Sequence, residues 1–181
     1  LTIEPNTVFF RTQPILPVYE VLEDIQEQGE AYLKAHGFIN YEVSAWRKEK
    51  PSAHNLNYWQ FGDYLAIGAG AHGKVTQADG VYRFQKTRLP KDYLAKVPAE
   101  NLQFKRLEHD DMPFEFMMNA LRLNDGVDAS LYAERTGTDL SEIAELLASL
   151  QYRKLMVDDP SRIACTEKGH IFLNSVLEEF L

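Results

Sequence analysis

Apolar residues near the start of the chain fall on a helical stripe. Val18, Val21, Leu22, Ile25, Tyr32 and Leu33 share one side, while Glu20, Glu23, Asp24 and Glu27 take the other. This predicts an amphipathic helix with one buried face. Pro17 suits its opening, because the first turn does not need the missing N–H. Gly37 suits the left-handed position that closes a helix. On either side the period shortens. Residues 1–4 read as the end of a strand and residues 11–17 as a proline-bearing loop. Residues 38–45 read as a strand in which Tyr41 and Val43 alternate with Glu42 and Ser44. Residues 54–59 predict a short helical turn and residues 64–68 a short buried strand. The latter runs into Gly68-Ala69-Gly70-Ala71, a stretch almost without side chains that can lie close to a ligand. Strand, helix, strand, turn and strand in this order point to an α/β fold with strands side by side in a parallel sheet.

Beyond this stretch the pattern predicts a β-hairpin over residues 73–87, turning at Ala78-Asp79-Gly80. A short helix opened by Pro90 and a linker to Arg106 follow. After residue 107 the chain reads as a small helical module. Asp111, Asp128, Asp139 and Thr166 are candidate N-caps, Gly126 and Gly137 are stops, and Asp158-Asp159-Pro160-Ser161 is a tight turn between two short apolar runs. Three helices, a hairpin and a closing helix describe a winged-helix-like α+β domain. The expected division is residues 1–72, residues 73–106 as hairpin and basic linker, and residues 107–181.

Composition narrows the function. The chain has 181 residues, 45% hydrophobic and 25% charged, an ordinary globular balance. No apolar run is long enough to cross a bilayer, and the first residues lack a signal peptide's basic start and an initiator Met, so a piece of a longer protein is expected. One cysteine, Cys165, rules out an intrachain disulfide and suits a reducing cytoplasm. The net charge of −8 argues against a general nucleic-acid binder. The third helix of the C-terminal module carries Asp139, Glu142 and Glu145 where a DNA-reading helix needs cations. Against this background, residues 81–106 hold seven basic residues (Arg83, Lys86, Arg88, Lys91, Lys96, Lys105 and Arg106) and only Asp92 and Glu100 as acids. They either complement the acidic C-terminal module or meet carboxylates of a ligand.

His54-Asn55-Leu56-Asn57-Tyr58-Trp59, an HNxxYW motif, is followed by Asp63-Tyr64-Leu65 and Gly68-Ala69-Gly70-Ala71-His72. Leu1-Thr2-Ile3-Glu4-Pro5-Asn6-Thr7 and Tyr41-Glu42-Val43-Ser44 precede them in order. With these motifs the chain resembles the C-terminal half of the oxygen-independent coproporphyrinogen oxidase family of radical S-adenosylmethionine (SAM) proteins, and most closely its heme-chaperone branch. The resemblance implies the closing part of an incomplete (β/α) barrel, and a parent that holds SAM and a [4Fe–4S] cluster. Such a cluster needs three thiolates. With one cysteine, this stretch is expected to carry no cluster and no radical chemistry by itself.

The resemblance also implies candidate site residues. His54 would ligate heme iron, with Tyr58 and Trp59 as an aromatic wall. The residues alone allow a second reading, in which His54 caps a turn and the aromatics anchor the core. Ile67, Gly68, Gly70 and Ala71 would receive SAM, with Ile67 on the adenine. Read alone, the same residues make a tight bend, because no G-x-G-x-x-G fingerprint is present. Three functions remain open: heme binding and transfer to an acceptor protein, oxidative decarboxylation of coproporphyrinogen III propionates, and a docking module without its own ligand. Self-association through open strand edges is a further expectation.

Overall fold

The computed structural model of the chain describes residues 3–97, 100 and 102–181. Two compact units are present, Leu1–Ile39 and Asn40–Leu181.

The first unit holds α1 (Val8–Thr12) and α2 (Tyr19–Ala35). Thr7 caps α1 by accepting from the Phe10 N–H at 3.1 Å. The proline-bearing loop expected over residues 11–17 therefore begins two residues late, at Gln13. Helix α2 ends as predicted. Gly37 takes φ +79°, and the N–H groups of Gly37 and Phe38 close back on the carbonyls of Lys34 and Leu33. The predicted buried face is a correction, because α2 contains no buried residue and Val18, Val21, Ile25 and Tyr32 stand exposed. Leu22 and Leu33 of the stripe are half-buried. The strand expected over residues 1–4 starts outside the described residues, and Ile3 and Glu4 are not in a strand.

In the second unit the strand expected over residues 38–45 divides into β1 (Ile39–Glu42) and β2 (Ala45–Arg47), which form a two-stranded sheet, and Glu42 of β1 also bridges to Leu123. The Asn40 side-chain amide donates to the carbonyls of Glu42 and Ala45 and ties the turn between them. Helix α3 (Ala53–Trp59) confirms the predicted helical turn, with Ser52 accepting from the Asn55 N–H. The buried strand expected at residues 64–68 does not form. Tyr64 alone pairs, with Lys74, while Leu65 and Ile67 are 79% and 90% exposed. Gly68 and Gly70 at φ +98° and +70° bend the chain away. Among the described residues before Ala71, no strand joins a wider parallel sheet.

The hairpin is β3 (His72–Gln77) and β4 (Gly80–Lys86), followed by α4 (Pro90–Ala95). The expected basic linker contains a further strand, β5 (Leu102–Arg106), antiparallel to β4. The three-stranded sheet thus runs β3-β4-β5. After a 3-10 turn at His109–Asp111 come α5 (Met112–Ala120), β6 (Val127–Asp128), α6 (Ser130–Thr136), a 3-10 turn at Leu140–Ile143, α7 (Ala144–Tyr152), β7 (Arg162–Ile163), α8 (Glu167–Ile171) and α9 (Leu173–Glu178). Asp139 forms a capping box with Glu142, and Thr166 caps α8. Asp111 and Asp128 do not cap: Asp111 closes the 3-10 turn and Asp128 lies in β6, paired with β7.

One core unites this unit. Phe61 meets Phe116 edge-on at 5.7 Å, Phe116 meets Tyr132 at 5.1 Å, and Val81, Met117, Leu150, Ile163 and Val176 close around them. Residues on both sides of position 106 contribute to it. No helix among the described residues is long and apolar enough to cross a membrane.

Candidate ligand cleft

The site starts at the turn after α3. Phe61 adopts φ +54°, a conformation unusual for an aromatic residue, while its ring lies in the core. Gly62 follows because a Cβ there would stand 2.3 Å from Asn57 Oδ1. Asn57 also donates to the Asp63 carbonyl at 2.9 Å, and Asn55 donates to the Tyr41 hydroxyl at 3.1 Å. The two asparagines of HNxxYW are therefore structural. They fasten α3 and aim its aromatic residues.

Asp63 then clamps the hairpin. Its carboxylate accepts from the Lys74 ammonium at 2.9 Å, the Thr76 N–H at 2.8 Å and the Thr76 hydroxyl at 2.8 Å. Lys74 is 1% exposed, also donates to the Phe61 carbonyl at 2.9 Å, and sits 4.1 Å from the Phe61 ring centroid. Burial works to raise the Asp63 pKa, but the hydrogen bonds from Lys74 and Thr76 outweigh it and hold the carboxyl below its ordinary value. For Lys74, burial wins over the attraction of Asp63 and pushes the ammonium down.

Register places Lys74, Arg83 and Lys105 side by side across the sheet, and His72, Gln85 and Gln103 in the adjacent row. The Gln85 amide donates to Gln103 at 2.8 Å along that row. The other face carries Gly73, Phe84 and Phe104. Gly73 has no room for a side chain, since its Cβ would meet Phe84 Cζ at 2.2 Å. His72, Arg83, Gln85, Gln103 and Lys105 of the polar face, together with Phe84 and Phe104, form one wall of an open cleft of about 860 Å³. Tyr58 and Trp59 of α3, Tyr64, and Glu115 and Met118 of α5 also line it. Tyr58 packs edge-on against Tyr64 at 4.4 Å. Arg83 donates to Tyr64 Oη at 2.7 Å and to Glu115 Oε2 at 2.6 and 3.1 Å. Lys105 lies 3.6 Å from Asp111. Behind the wall the Arg122 guanidinium stacks 4.4 Å over Trp59 and reaches the buried Glu42 at 3.4 Å. The Trp59 indole N–H is buried without a hydrogen-bond partner.

Of the residues expected from sequence, Tyr58 and Trp59 line the cleft. His54 is exposed on α3 and is not among the lining residues; its ring meets Tyr58 edge-on at 4.7 Å. Ile67 is exposed. The Gly70 N–H is taken up by the Thr87 carbonyl at 2.9 Å, and the Ala71 N–H bonds to Gly68 at 3.4 Å. Those two amides are engaged within the chain. Cys165 is buried and its thiol is pushed up to about 12 by burial, so it does not offer a thiolate at neutral pH. The residues present do not fit a [4Fe–4S] cluster, and no three-member metal-ligand group occurs among the described residues. Sequence reasoning did not assign Tyr64, Glu115, Met118 or His72 to the site. The readable signal was alternation: Arg83 with Gln85, and Gln103 with Lys105, fall on one strand face.

Residues 107–172 match the HemN C-terminal domain. Over the whole chain, the heme chaperone HemW of Haemophilus influenzae is 44% identical and that of Escherichia coli 42%. The chain covers 47% and 48% of these two proteins, so it spans about half the length of the curated relatives it matches. A solved structure titled as Escherichia coli coproporphyrinogen III oxidase (HemN), a radical SAM enzyme, shares the fold at a TM-score of 0.65 and 19% identity, over 91% of this chain and 42% of that one. The arrangement of strands before Ala71 differs from the expected parallel sheet, yet the α/β fold is that of HemN. By these likenesses residues 107–172 carry the HemN C-terminal domain, and the whole chain is similar to about half the length of the heme chaperone HemW.

Proposed function

We propose that this chain is the cargo-binding portion of a heme chaperone, taking up heme in the cleft and passing it to an acceptor protein. The observation that carries the reading is the cleft's two-sided chemistry. Tyr58, Trp59 and Tyr64 offer aromatic surface to a flat macrocycle, and Arg83 and Lys105 stand opposite as partners for propionates. The family resemblance offers His54, beside Tyr58 on α3, as one iron ligand. The names of the HemW relatives support heme as cargo.

The SAM reading of Ile67, Gly68, Gly70 and Ala71 belongs to the longer protein. The exposed loop leaves Ile67 free to pack on an adenine, and the cluster's thiolates would come from outside these 181 residues. The C-terminal order of helix, short strand, two helices and paired strands supports a winged-helix-like docking module, with its acidic third helix turned to protein and not to DNA. A second reading, oxidation of coproporphyrinogen III, is favoured by the fold shared with HemN. Hemin titration of this chain and of His54→Ala, followed by the Soret band, tests the first reading. Saturable binding is expected. Absence of binding by the unaltered chain overturns it, and coproporphyrinogen turnover by the longer protein would favour the second.

A further inference from the structure

We infer that His72, on the sheet wall of the cleft, is an axial ligand of the bound heme iron. The inference rests on the heme-binding reading above and assigns a residue to it.

Three observations converge on this imidazole. First, His72 lines the cleft while His54 does not. Second, its side chain is exposed and, among the described residues, makes none of the hydrogen bonds or ion pairs that occupy His36 and His109. An imidazole nitrogen without a partner has a lone pair to give to iron. Third, strand register sets its distance from the cations. His72 pairs with Gln85, and Lys74, two residues on, pairs with Arg83 and through it with Lys105. With strands about 4.8 Å apart and about 3.3 Å per residue, His72 lies about 8 Å from Arg83 and about 12 Å from Lys105 between Cα atoms. Such a spread suits a macrocycle whose metal sits over His72 while its carboxylates reach the basic row. Tyr58 and Tyr64 then face the ring, and Glu115 is the carboxylate that occupies Arg83 when no ligand carboxylate does.

Coordination is separable from packing by using the macrocycle with and without iron. Hemin and metal-free protoporphyrin IX are each titrated into the unaltered chain, His54→Ala, His72→Ala and His72→Gln, with circular dichroism confirming the fold. Loss of about tenfold or more in hemin affinity with an altered Soret band for both His72 variants, and unchanged protoporphyrin binding, is expected. Hemin binding within twofold of the unaltered chain would overturn the assignment. So would equal loss of both macrocycles, which would make His72 a packing residue. If the unaltered chain binds protoporphyrin but neither hemin band nor affinity responds to any histidine variant, the cleft reading survives and the ligand assignment fails. If the unaltered chain binds neither macrocycle, the heme reading itself falls and the assignment with it.

Discussion

Lys74 and Arg83 face each other across β3 and β4, yet they live in different chemical worlds. Lys74 is sealed, with its ammonium shared among the Phe61 carbonyl, Asp63 and Thr76. Arg83 is a quarter exposed at the cleft wall, and Glu115 and Tyr64 hold its guanidinium without covering it. Two neighbouring cations thus serve two ends. A point charge with three donors suits a closed cage of oxygens, and a planar fork suits a site where a carboxylate is exchanged. The lesson is that charge alone does not mark a binding residue. How many of its donors are already committed, and how dry the committed partners are, decides.

The largest effect should come from breaking the sealed cage. Asp63→Ala leaves a buried ammonium without its carboxylate and should cost about 3 kcal/mol in urea unfolding. Lys74→Met leaves the half-exposed Asp63 with Thr76 and should cost about 1–2 kcal/mol, mostly from the abandoned Phe61 carbonyl. The double variant should fall well short of the sum, since the two residues form one unit; simple additivity would dissolve the contrast drawn above.

At the cleft the effects should be smaller on stability and larger on ligand. Glu115→Gln is expected to cost about 1 kcal/mol while strengthening binding of a carboxylate-bearing porphyrin, because Arg83 is released. Weaker binding would show that Glu115 is not a competitor. Acid should distinguish the networks as well. Asp63 titrates below its ordinary value in the folded chain, so the unfolded chain takes up the proton first as pH falls. The stabilisation from Asp63 is then complete above about pH 4 and is lost as pH falls through the lowered folded value. Asp63→Asn should flatten that part of the stability profile. Smallest of all, Tyr64→Phe removes one hydrogen bond to Arg83 and should cost about 0.5–1 kcal/mol, with the cleft's shape kept.

These contrasts also explain what could be read from the chain before its structure. Helix α2 with its Gly37 stop, the β3–β4 hairpin and the Asp139 and Thr166 caps were legible because each is settled within a few residues. Strand β5 was not, since residues 102–106 are charged at their end and their partners lie some twenty positions earlier. Residues 64–68 misled because an apolar run looks like a buried strand, whereas only Tyr64 finds a partner and two left-handed glycines turn the chain out. Of the site, the aromatic pair Tyr58 and Trp59 stood out by composition. The sheet wall needed the register, and Glu115 needed α5 brought beside Arg83, neither of which has a local signature.

Gly73 lies between the candidate iron ligand and the sealed cation, with the tip of the Phe84 ring in the space a Cβ would take. It behaves as a washer of zero thickness. A methyl group there would push from behind on His72 and Lys74 together, so capture of the macrocycle and resistance to heat should decline in one step. A Gly73→Ala chain that lost one and kept the other would show that the strand is more pliable than this close approach implies.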